Sequence, residues 1–201
     1  MKFAEYAPLA LRTCKPMDHE QQVDHACLGM FTETGELADM IKKHIIADKP
    51  LDYVNGMEEA ADICWYFNLW CYEMNIAPKM LDEALVMMES EPLSEMPIDK
   101  HAIAIGQMVA ALSIDAANRG VPDAPAALAL LALLENFVRR MGFKIGASLV
   151  RNIAKLEARY KSGTFTAAEA THRDHAAERV ILEEGGRPGA NIHGIGPDVG
   201  T

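Results

Sequence analysis

Three things are missing from this chain: a Cys-x-x-Cys pair, a glycine-rich loop behind a strand-like run, and any stretch of alternating β-branched residues. The four cysteines, Cys14, Cys27, Cys64 and Cys71, are scattered, and the last two stand two turns apart on one helical stretch, too far to bridge. They read as reduced, small apolar side chains of a cytosolic protein. Without a strand and phosphate loop, any phosphate chemistry must use other donors. No Ser/His/Asp or Cys/His order points to a covalent nucleophile. Positive charge is scarce, with 19 Lys and Arg against 29 Asp and Glu and a net charge of -10. A nonspecific grip on a nucleic-acid polymer needs clustered cations, so that class is excluded. The longest apolar run, Ala124 to Leu134, is about half of the ~20 residues a membrane span requires, and no basic-plus-apolar leader opens the sequence. The expectation is a cytoplasmic protein with no membrane partner.

What remains is a chain of 201 residues, half of them apolar, which is enough to bury a core. Apolar positions recur at helical spacing almost throughout, so the fold class is all-α. After a short N-terminal helix, the spacing predicts helices near 19–47, 53–75, 77–90, 99–119, 123–141, 144–161 and 166–184. Two prolines in Ser90-Glu-Pro-Leu-Ser-Glu-Met-Pro97 mark a connector over 90–98, between an N-terminal half (1–89) and a C-terminal half (99–184). Residues 185–201 are rich in Gly and Pro, with little to bury, and read as a mobile tail.

A faint internal repeat crosses that connector. It pairs Leu37 with Leu112, Ala60 with Ala127, Trp70 with Phe137 and Met74 with Met141, as though one helical hairpin were written twice.

Two acidic couplets stand out, Glu33-Thr-Gly-Glu36 and Glu59-Ala-Ala-Asp62. So many acids produce roughly four such i,i+3 pairs by chance, and either couplet alone suits a solvated helix face. The second couplet, however, sits in a stretch that is apolar nearly all round. A carboxylate buried there needs a metal, a base or a hydrogen-bond network, so Asp62 is either functional or firmly paired. At 100° per residue, Glu59, Asp62 and Tyr66 share one stripe and Glu33, Glu36 and Lys43 another. An antiparallel hairpin can turn these stripes together, making a mouth of four acids, one Lys and one phenol. Four carboxylates meeting in one place repel, and divalent metal bound to nucleotide phosphates resolves that repulsion. Lys43 equally suits an i,i+4 ion pair with Asp39, and Tyr66 equally suits core packing. In the repeat, the acids fall opposite Met108, Ala111, Ala126 and Ala129, so only the first half can hold metal.

Here the sequence resembles the MazG-like all-α nucleoside triphosphate pyrophosphohydrolases, especially small versions encoded by bacteriophages. The likeness lies in Leu9-Ala-Leu-Arg-Thr13, in the stretch from His25 through Glu33 and Glu36 to Ile45, and in Glu58-Glu-Ala-Ala-Asp-Ile-Cys-Trp-Tyr66. It continues in Asn152-Ile-Ala-Lys-Leu-Glu-Ala-Arg-Tyr160 and His172-Arg-Asp-His-Ala-Ala-Glu-Arg179, and covers about half of the chain in the family's order.

The resemblance implies a helical bundle that binds Mg2+, with Mn2+ as a substitute, through Glu33, Glu36, Glu59 and Asp62. It implies hydrolysis of a (deoxy)nucleoside triphosphate to monophosphate and pyrophosphate, in the host cytoplasm if the chain is phage-encoded. Compact relatives run almost directly from the second acidic helix into the Asn-x-x-Lys-Leu segment and pair as dimers. The extra hairpin here reads as a fused pseudo-dimer with a degenerate second half, monomeric or paired again. One composite site is then expected, with Asn152, Lys155 and Arg159 reaching over to the acids as substrate-binding residues alongside Lys43 and Tyr66. Those three also suit plain helix-surface charge. Two other readings stay open: an alarmone or modified-nucleotide hydrolase of the same fold, and a nucleotide-binding protein without turnover. His172 and His175 suit a solvated face better than a metal pair, and His25 suits base contact or packing.

Overall fold

The computed structural model describes residues 1–117, 124–172 and 174–184, and among these every regular element is an α-helix. The helices are α1 (Phe3–Leu11), α2 (His19–Ala47), α3 (Tyr53–Glu73), α4 (Pro78–Met88), α5 (Ile98–Ala117), α6 (Ala124–Arg140), α7 (Ile145–Arg159), α8 (Ala167–Thr171) and α9 (His175–Glu183). The expected tail at 185–201 and the expected ends at 118–119 and 123 lie outside the described residues. No helix among the described residues is long and apolar enough to cross a membrane.

Local chemistry sets the boundaries. The Asp18 carboxylate accepts from the Gln21 N–H at 2.9 Å and starts α2, and Asp52 does the same for α3 through the Asn55 N–H at 3.0 Å. Pro78 opens α4, where its missing N–H costs nothing. At the end of α2, Asp48 turns left-handed (φ 49°), and at the end of α3 Asn75 does so (φ 59°), both residue types that tolerate that conformation. The single helix expected over 166–184 is two helices instead. The Thr166 hydroxyl caps α8 through the Glu169 N–H, and the Asp174 carboxylate caps a new helix, α9, through the Ala177 N–H at 3.0 Å. A second N-cap in the interior favours a restart over continuation.

Four helices form a ring in which α2 packs along α3 and α5, α6 packs along α5, and α6 closes against α3. Helices α1 and α7 lie over α3, α4 packs on α1 and α6, and α9 packs on α7 and α3. One apolar cluster runs through both halves, joining Phe3, Met30, Phe67 and Trp70 to Leu112 and Phe137. The apolar all-round pattern of α3 is thus explained by its central place. The connector is pinned to α6: the Arg139 guanidinium donates to the Glu91 carbonyl at 2.9 Å, and the Ser94 N–H donates to Asn136 Oδ1 at 3.3 Å.

The N-terminus of α1 is capped from a distance. The Phe3 and Ala4 N–H groups donate to the two oxygens of Asp82 on α4, at 2.6 and 3.1 Å. This bond fixes α1, and with it the segment that backs the acidic cleft. Asp82→Ala is expected to cost about 1 kcal/mol of stability, read as a lowered urea midpoint, whereas an unchanged midpoint would show that α1 is held by packing alone.

Candidate functional site: an acidic cleft on the first hairpin

Helices α2 and α3 lie side by side, and their couplets meet. One carboxylate oxygen each from Glu33, Glu59 and Asp62 falls in a group within 4.8 Å of one another. Glu36 lies outside that trio but lines the same cleft, of about 510 Å3, as do Glu58 and Asn55. Hard oxygen donors from two rigid helices suit a divalent cation such as Mg2+ or Mn2+. Glu59 is only 5% exposed. Burial, reinforced by Asp62, Glu36, Glu58 and Glu33, pushes its carboxyl from 4.5 up to about 9. Without a cation, then, the cluster is one in which a carboxyl keeps its proton.

Asp62 is held from behind by α7. Asn152 Nδ2 donates to Asp62 Oδ1 at 2.6 Å, and Asn152 Oδ1 in turn accepts from the Tyr6 hydroxyl at 2.7 Å. The Lys155 ammonium donates to Asp62 Oδ2 and, at 3.1 Å, to Glu58 Oε1. Its side chain is 1% exposed. Burial alone would lower the Lys155 pKa, but the Asp62 and Glu58 carboxylates reverse that and hold it above its ordinary value. The structure therefore brings Asn152 and Lys155 to Asp62, yet neither belongs to the cleft wall. Arg159, one turn further along α7, does line the cleft, and its guanidinium forms a two-pronged pair with Glu178 of α9 at 2.8 and 2.9 Å.

Lys43 is not part of this arrangement. Its ammonium pairs with Asp39 at 2.5 Å, remains 55% exposed, and does not line the cleft. The stripe that contains Glu33 and Glu36 continues past the end of the pocket, and the i,i+4 neighbour claims the lysine.

Tyr66 lies in the wall, where its ring stands edge-on to Trp65 (4.8 Å between centroids) and His25 (5.4 Å). Burial, with Glu33 and Asp62 nearby, raises its phenol to about 12. The ring lies across Gly29 of α2, where a methyl group would overlap it. Trp65 is fixed by donation from its indole N–H to the Ala10 carbonyl and Thr13 hydroxyl, both at 3.3 Å. His25 also lines the cleft, and its pKa is lowered by burial. Phe165 and His175 complete the far side. His172 instead donates to the Ala168 carbonyl at 2.8 Å and, unlike His175, is not among the described residues of the cleft wall.

Sequence reasoning passed over Glu58, Tyr6 and Glu178 as site residues. For Glu58 a signal existed, since it stands one turn before Asp62 on the same face. Tyr6 and Glu178 carry none, because only the tertiary fold brings them to Asn152 and Arg159. No protein-family model, curated protein or solved structure matches the chain.

Two outcomes follow from this geometry. Folded Glu59 keeps its proton to about pH 9, whereas the unfolded residue ionises near 4.5. Between those values folding takes up a proton, so this residue destabilises the metal-free protein increasingly as pH rises. In urea titrations with chelator, the stability of Glu59→Gln relative to wild type should therefore grow from about pH 5 to about pH 9; a difference independent of pH would contradict the shift. Gly29→Ala should displace the Tyr66 ring and cost about 1–3 kcal/mol, seen as a lower melting temperature and altered tyrosine fluorescence.

Proposed function

We propose that the chain is a Mg2+-dependent nucleoside triphosphate pyrophosphohydrolase, which cleaves between the α and β phosphates to give a monophosphate and pyrophosphate. The observation that carries this reading is the convergence of Glu33, Glu59 and Asp62, from both couplets, on a cleft that also contains Glu36 and Arg159. A volume of about 510 Å3 lies within the range of small-molecule sites.

In this reading Glu33, Glu59 and Asp62 hold the ion. Once bound, Mg2+ would neutralise phosphate charge, polarise the attacked phosphorus and lower the pKa of water. Glu36, on the same wall but outside the trio, orients the attacking water and accepts its proton. Arg159 exchanges Glu178 for a phosphate oxygen, a match that the planar guanidinium makes in two-pronged fashion. The aromatic corner of Trp65, Tyr66 and His25 receives the base, and Phe165 limits the entry of water.

The fused pseudo-dimer belongs to the same proposal. Of its paired positions, Leu37 and Leu112, Ala60 and Ala127, and Trp70 and Phe137 are fully buried, whereas in the fourth pair Met141 is buried and Met74 is half-buried. Met108, Ala111, Ala126 and Ala129 leave the second hairpin without oxygen donors at the corresponding places, so one site per chain is expected.

Purified protein with Mg2+ and a panel of nucleoside triphosphates, read by product mass, should yield monophosphate and pyrophosphate. Glu36→Gln should lower kcat by about 100-fold or more, and Asp62→Asn should abolish turnover. Product release unaffected by either substitution would reject the assignment.

A further inference from the structure

We infer that Lys155 is a built-in cation standing where a second metal ion would otherwise sit, so that the acidic cleft takes one metal ion in the absence of nucleotide. The inference rests on the metal-binding part of the proposed function and sharpens it.

In two-metal hydrolytic sites the ions stand about 4 Å apart and act together on one substrate. A carboxylate held between two cations suits such a centre, and Asp62 occupies that kind of position here. On one side it belongs to the trio with Glu33 and Glu59. On the other, its Oδ2 accepts from the Lys155 ammonium, whose second anionic partner, Glu58 Oε1, lies at 3.1 Å. Glu58 therefore serves the ammonium as a terminal ligand would serve an ion.

The ammonium cannot easily leave this place. Its side chain is 1% exposed and forms no part of the cleft wall, and withdrawing it would leave Glu58 and Asp62 without their cation. A lysine meant to grip phosphate would face the cleft, as Arg159 does. A purely structural pair tying α7 to α3 needs only one acid. Lys155 sits instead between two acids one turn apart, at the edge of the trio. Lys155 thus acts through Asp62, as a positioning residue: it supplies one positive charge where a metal would supply two, and it leaves the trio as the only opening for an ion among the described residues.

The test is a count of Mn2+ bound to metal-free, full-length protein without nucleotide, by electron paramagnetic resonance and titration calorimetry. Wild type should bind one ion. Lys155→Ala, which frees Glu58 and Asp62 and opens space beside them, should bind two, with the spectrum of a spin-coupled pair. Two ions on the wild type, or one ion on a folded Lys155→Ala, would overturn the inference. If Lys155→Ala does not fold, Glu58→Gln decides. Because Glu58 is spent on the ammonium, its substitution should weaken Mn2+ binding far less than Glu59→Gln, for which a loss of more than about 10-fold is expected. Equal losses would overturn the inference. A wild type that binds one Mn2+ but hydrolyses no nucleotide would fail the hydrolytic reading and leave this one standing, while a wild type that binds none would end both.

Discussion

The acidic cleft depends on a buried ammonium. Two like charges about 4 Å apart repel by about 4 kcal/mol at an effective dielectric of about 20, and among the described residues five carboxylates line this one cleft. Lys155 offsets part of that repulsion at Glu58 and Asp62, and Asn152 fixes the other Asp62 oxygen. Both residues come from α7, ninety or more positions along the chain from the acids they serve. The N-terminal half thus carries the acids, and the C-terminal half makes their proximity tolerable. Burial of such a pair adds little net stability, but loss of either partner leaves an uncompensated charge, which ties the site to the correct docking of α7.

From that contact the supports spread outward in short steps. Tyr6 on α1 holds Asn152, which holds Asp62, while Asp82 on α4 holds the start of α1. On the aromatic side, the turn after α1 holds Trp65, and Gly29 lets the Tyr66 ring lie against α2. The far wall hangs on two ion pairs, Arg159 with Glu178 and Arg179 with Asp52. Carboxylates carried on helices and anchored by a second layer of hydrogen bonds keep their spacing, which metal binding and catalysis both require. Arg159 faces the cleft while paired with Glu178 of α9, and it is therefore a group suited to exchange partners when an anion enters.

Much of this was legible in the sequence for identifiable reasons. Periodicity gave the all-α class and placed the starts of α2 and α3 at 19 and 53, where the structure has them. The apolar surroundings of Asp62 signalled a carboxylate in need of a partner, and the structure supplies Lys155 and Asn152, although Asp62 itself is half-buried and Glu59 is the buried acid. What failed did so where tertiary geometry decides. Lys43 shares a helix stripe with Glu33 and Glu36, but a stripe has length, and the lysine lies beyond the pocket, beside Asp39. The helix expected over 166–184 is broken because Asp174 starts a new one. Glu58 was readable from its i,i+4 relation to Asp62, whereas no local pattern could announce Tyr6 or Glu178, whose partners are distant in the chain.

The proposed cation site, formed by two couplets and backed by Lys155 on the first helical hairpin, is open to direct observation. Crystals grown with Mn2+ and measured at the manganese absorption edge test it most directly. A single anomalous peak is expected, bounded by Glu33, Glu59 and Asp62, with the Lys155 ammonium still between Glu58 and Asp62. No peak at the trio, or a peak in the place of the ammonium, would contradict it.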